Sequence, residues 1–106
     1  MENNINQHPI DKIVDACVRI QNGRNISSVL AALKLEVLEL EEEVNKSLTG
    51  EEPGPDGIIG EAIDCLLIIV DLIYQKNPSL SREYISFRVG EKLNKWETKY
   101  GHNASK

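Results

Sequence analysis

The sequence predicts an all-α protein, a four-helix bundle whose helices also pack between subunits. Three observations carry this. Apolar residues recur at intervals of three and four along most of the 106 residues, and no period-two alternation competes with them. Turn-forming residues divide the apolar stretches into four segments. One of those segments is apolar on too many sides for the outer helix of a monomer.

The first helix is expected from Pro9 to about Asn22, with Ile10, Ile13, Val14, Cys17, Val18 and Ile20 apolar. Proline suits a first-turn position because its missing N–H has no partner there anyway. Gly23 is the expected C-terminal cap. The second helix starts near Ser27 or Ser28, either of which can cap it, and runs to about Leu48. Leu30, Leu33, Val37, Leu40, Val44 and Leu48 form its expected core face. The run T49-G-E-E-P-G-P-D-G57 then forces a loop. Asp56 can cap the third helix, which runs from about Ile58 to Gln75 and stops at N77-P78. Ser79 or Ser81 opens the fourth, which reaches about Tyr100. A single domain spans 1–106, with flexible tails expected over 1–8 and 102–106.

Composition narrows the function. The formal net charge of -5 disfavours nucleic acid and anionic membranes, both of which need clustered Lys and Arg. The longest apolar run, Ile58 to Tyr74, is broken by charges at 61, 64 and 71, so no transmembrane segment is expected. Cys17 and Cys65 read as two reduced core thiols, and the polar N-terminus lacks a signal pattern, so a cytoplasmic location is expected. A chain this short leaves much surface exposed, which favours association into a homodimer or homotetramer.

The chemistry lies in the acidic residues. Each helical residue turns about 100°, so Glu61, Asp64 and Asp71 fall within about 80° of one another on an otherwise apolar rod. Glu36, Glu39 and Glu43 stack on one face of the second helix. If the two apolar stripes pack together, the two acidic strips meet at the edge of the interface. Unpaired carboxylates held there cost several kcal/mol or take up protons. The third helix has no basic residue between Gly60 and Gln75 to offset this, so a divalent cation is the better partner. The donors are all carboxylates, and His8 and His102 lie in polar tails. Hard oxygen ligands suit Mg²⁺ or Mn²⁺, whereas zinc and di-iron sites want His or Cys. Taken alone, E39-L-E-E-E43 is more often a solvated face, and Glu41 and Glu42 are expected to be solvated. Asp71 can equally face a basic partner.

The motifs E36-V-L-E39 and E61-A-I-D64, about twenty residues apart, resemble those of the MazG-like nucleotide pyrophosphohydrolases. A31-A-L-K-L-E-V-L-E-L40 and G60-E-A-I-D-C-L-L-I-I69 are similar to that family's two acidic helices, and K92-L-N-K-W-E-T-K-Y-G101 to its lysine-rich ending. The resemblance implies an all-α, Mg²⁺-dependent dimer or dimer of dimers. It implies hydrolysis of a (deoxy)nucleoside triphosphate between the α and β phosphorus, giving the monophosphate and pyrophosphate. It makes Glu36, Glu39, Glu61 and Asp64 the metal ligands and Glu39 the candidate for activating water. Lys34, Lys92, Lys95 and Lys99 become candidates for binding phosphate, with Arg24 a further one. Trp96 stands where the family often has an asparagine, and it is either a base-stacking residue or core. Leu35 stands where the first motif often has another glutamate. Phosphoribosyl-ATP and dUTP pyrophosphohydrolases are related possibilities. A non-catalytic helical protein with acidic interaction patches is the reading from another class.

Overall fold

The computed structural model describes residues 8–20 and 23–101. Most of the expected tails, 1–7 and 102–106, and the expected end of the first helix at 21–22 lie outside the described residues. Within them the chain forms four helices and no strand: α1 (Pro9–Ile20), α2 (Ile26–Thr49), α3 (Gly57–Lys76) and α4 (Arg82–Tyr100). No described helix is long and apolar enough to cross a membrane.

The helix ends follow local chemistry, with two departures from expectation. α2 begins one or two residues early because Asn25 is the cap, not Ser27 or Ser28. The Ser28 amide donates to Asn25 Oδ1 and the Asn25 amide donates to Ser28 Oγ, both at 2.9 Å. Its end is set by Gly50, whose φ of +77° is a left-handed conformation that glycine adopts without strain. Asp56 sits at the N-cap position of α3 but makes no side-chain capping bond. Ser81 caps α4 as expected, accepting from the Tyr84 amide at 3.1 Å.

α2 and α3 form the main packed pair, and α1 lies against α3. The inward row of α2 is Val29, Leu33, Glu36, Leu40 and Glu43. Of the expected core face Leu33, Leu40 and Val44 are half-buried, but Leu30, Val37 and Leu48 stay exposed, Leu48 at 78%. α3 is turned in the same sense. Cys65, Val70 and Asp71 are buried and Glu61, Asp64, Ile68 and Gln75 half-buried, while Ile59, Ile63, Leu66, Ile69 and Ile73 are exposed. Both helices thus turn some carboxylates inward beside the buried Val29, Cys65 and Val70, and leave many aliphatic side chains exposed.

α4 buries no residue and makes no packing contact with another helix among the described residues. It is tied to α1 by Arg82 Nε and Asp11 Oδ1 at 3.2 Å, a solvated pair of small energetic weight. One flank of α4 (Tyr84, Val89, Leu93, Trp96) forms an open apolar groove with Leu80 and Ile73. Trp96 is 60% exposed, so it is not a core residue of the single chain. Its ring meets Tyr100 edge-on with centroids 6.0 Å apart.

Candidate functional site

The α2–α3 hairpin brings the four predicted carboxylates into one cluster. Glu36, Glu39 and Glu61 each present an oxygen such that the three lie within 4.8 Å of one another. Asp56, Glu61 and Asp64 form a second such group, with Glu61 common to both. Glu36 and Glu61 come from the inward rows, so the helix pairing itself drives them together. Glu39 and Asp56 sit at the solvent edge.

Exposed acidic groups often cluster without purpose, but two atoms here are not exposed. Oε1 of Glu36 and Oε1 of Glu61 are sealed from solvent and accept no hydrogen bond. A buried acceptor left unpaired is costly and uncommon. Burial, followed by the charge of Glu39, raises the pKa of both groups. Asp64 and Asp56 push in the same direction on each. Among the described residues, no ion pair from Lys or Arg reaches these carboxylates. An all-oxygen donor set with unused lone pairs fits a hard divalent cation such as Mg²⁺ or Mn²⁺.

Two acidic residues leave the strips to which their spacing assigned them. Glu43 does not join Glu36 and Glu39. It is 7% exposed, accepts from the Gly54 amide at 3.0 and 3.2 Å through its two oxygens, and pairs with Lys46 Nζ at 3.3 Å. A carboxylate is well suited to this, since the loop after α2 has free amides and no helix to satisfy them. Asp71 faces a basic partner from its own chain. Arg24 donates to it in bidentate fashion, Nε to Oδ2 at 2.9 Å and Nη2 to Oδ1 at 2.8 Å. Gln75 adds a bond at 3.2 Å. The Arg24 hydrogen bonds hold the Asp71 carboxyl below its ordinary pKa against the effect of burial. This pairing removes Arg24 from the candidates for binding phosphate.

The cysteines are free and buried, as expected of core thiols. Burial, then Asp71, pushes Cys17 up to about 11. Burial, then the charge of Glu36 and its neighbours, raises Cys65. Neither is a ready thiolate.

The remaining candidates are not brought to the carboxylates within one chain. Lys34 is exposed on α2, and Lys92, Lys95, Trp96 and Lys99 belong to α4, which packs on neither acidic helix. Asp56 is the member that helix spacing missed, because it lies in the loop before α3. The only signal for it was an acidic residue five positions before Glu61 in a chain reversal.

Neither protein-family models, nor curated proteins, nor solved structures give a match to this chain.

Proposed function

We propose that the protein is a Mg²⁺-dependent pyrophosphohydrolase that converts a (deoxy)nucleoside triphosphate to its monophosphate and pyrophosphate, in the service of nucleotide-pool house-cleaning. The observation that carries this reading is the pair of sealed, unpartnered oxygens on Glu36 and Glu61 in an all-carboxylate cluster. The two motifs on paired helices, and their resemblance to the MazG-like enzymes, supply the reaction class.

Glu36, Glu39, Glu61 and Asp64 hold the cation, with Mn²⁺ an alternative to Mg²⁺. When bound, the cation neutralises phosphate charge and lowers the pKa of water, several kcal/mol of transition-state stabilisation. Glu36 and Glu61, each half-buried with one oxygen sealed from solvent, set the rear of the site. Glu39 reaches solvent beside them, and its carboxylate takes the proton of the attacking water. Lys34, exposed two residues before Glu36 on α2, is a cation of the same hairpin available to the outgoing phosphates.

A second copy of the chain completes this picture. α4 carries five Lys and Arg against three Glu and packs on no other helix among the described residues. The α2–α3 hairpin is acidic and leaves a row of isoleucines exposed. Charge and apolar surface therefore complement each other between copies, as a homodimer or homotetramer requires. In such an assembly Lys92, Lys95 and Trp96 reach the triphosphate and its base.

Incubation with a panel of (deoxy)nucleoside triphosphates and Mg²⁺ tests the activity. Release of pyrophosphate is expected from at least one of them. It should be lost in Glu36→Gln and in Asp64→Asn with the helical circular dichroism intact. Orthophosphate release, or full activity in both variants, removes the assignment, and Mg²⁺-independent binding to a basic protein would favour the interaction reading. Light scattering after gel filtration tests the assembly. At least twice the chain mass of 11.9 kDa is expected, shifted toward one chain by Trp96→Glu. A wild-type mass of one chain rules the assembly out.

A further inference from the structure

Between Glu52 and Asp56 the chain reads P53-G-P55. Proline has no backbone N–H, so Gly54 carries the only amide donor of this tripeptide. That amide is captured by Glu43, whose two oxygens accept from it at 3.0 and 3.2 Å. Glu43 is one of two buried charged residues among those described, and Lys46 Nζ at 3.3 Å balances its charge.

The same contact explains why residue 54 is glycine. Its φ lies outside the left-handed region that Gly23, Gly50 and Gly57 occupy, so backbone conformation does not demand glycine there. Space does: a Cβ on Gly54 would stand 2.5 Å from Oε2 of Glu43. Pro53 and Pro55 fix φ on either side, so holding this one amide holds the segment. The start of the loop is already tied to α2, with the Glu51 amide on the Lys46 carbonyl at 2.9 Å. The Gly54 amide adds a second tie, three residues before α3 begins at Gly57.

Packing specifies the hairpin weakly. Val29 and Glu43 are the only buried residues of α2, and the turns between them, which carry Glu36 and Glu39, are half-buried or exposed. Sparse interlocking leaves the register of two helices loosely set, and a satisfied buried hydrogen bond supplies the missing specificity.

We infer that Glu43 is a positioning residue. Through the Gly54 amide its carboxylate sets where α3 begins against α2, and with it the register in which Glu61 and Asp64 meet Glu36 and Glu39. The pin holds whatever the hairpin does; its effect on turnover rests on the activity proposed above.

Hydrogen exchange read amide by amide by NMR on the full chain tests the pin. Glu43→Ala is expected to speed exchange about tenfold or more at Gly54, and at Gly60, whose amide donates to the Asp56 carbonyl, since a bond to a charged acceptor is lost. Amides from Cys65 to Asp71 should keep wild-type exchange, and nuclear Overhauser contacts between α2 and α3 should weaken. Glu43→Gln, which keeps an acceptor oxygen, should retain most of the protection and the contacts. Gly54→Ala, which displaces the carboxylate, should match Glu43→Ala, and the double variant should be no worse than either single one. Pyrophosphate release should fall about tenfold or more in Glu43→Ala and recover in Glu43→Gln, because small misplacements are costly to catalysis. Unchanged Gly54 exchange or unchanged interhelical contacts in Glu43→Ala overturns the inference. Single effects that add in the double variant, protection lost evenly over all helices, or full turnover in Glu43→Ala overturn it too. The expected exchange and contacts in a wild type that releases no pyrophosphate from any triphosphate uphold the pin while the proposed activity fails.

Discussion

If the proposed activity holds, Glu61→Gln is expected to lower kcat/KM for pyrophosphate release by at least about a hundredfold, since it removes a carboxylate proposed to hold the cation. Glu61 is the one side chain common to both triads, so no neighbour substitutes for it. The same change should raise the melting temperature of the metal-free protein. Its charge is opposed by burial and by Glu39, Asp56, Asp64 and Glu36, and no hydrogen bond reaches its sealed oxygen to offset that opposition. Activity and metal-free stability therefore move in opposite directions in this variant. Thermal melts with and without Mg²⁺ check it, and a variant that melts lower than wild type without metal contradicts the account.

The sign of the pH dependence follows from the same groups. Glu36 and Glu61 have folded-state pKa values above their ordinary 4.5. Between the ordinary and the raised values the folded state holds protons that the unfolded chain has released. Metal-free stability thus falls as pH rises through this window and returns on acidification. Asp71 acts oppositely, being held below its ordinary 3.8, and its contribution is lost only as pH falls from that value through the lowered one.

Arg24→Ala is expected to destabilise the fold by about 3 kcal/mol, because it strands a largely buried carboxylate. The Arg24 and Asp71 side chains are only 17% and 10% exposed. Urea unfolding measures the loss. Replacing both partners, as Arg24→Met with Asp71→Leu, should recover most of it, because the desolvation of both charges is removed. A single substitution costing less than about 0.5 kcal/mol would show the pair to behave as a surface bridge. Mn²⁺ binding should survive in the folded single variant, since Asp71 belongs to neither triad.

The helices and the meeting of Glu36, Glu39, Glu61 and Asp64 were legible because 3.6-residue periodicity fixes which side chains share a face. The rotation of α2 was not. Leu30 and Val37 keep the same spacing as Val29 and Glu36 one position before them, and periodicity alone does not choose between adjacent rows. Glu43 and Asp71 had the right spacing for the acidic strips, but their partners, the Gly54 amide and Arg24, lie 11 and 47 residues away. Asp56 was hidden for the opposite reason: its position depends on loop backbone and on the missing side chain at Gly60, where a Cβ would stand 2.7 Å from that of Asp56, and neither has a period.

The isolation of α4 has a consequence for how the protein responds to dilution. Its nineteen residues bury no side chain, so α4 lacks the tertiary packing that supplies most helical stability. Whatever covers α4 must therefore also supply the free energy that keeps it wound. If the proposed assembly forms, scarcity of chains frays this segment first and leaves the α2–α3 hairpin folded, so that helix content itself depends on protein concentration.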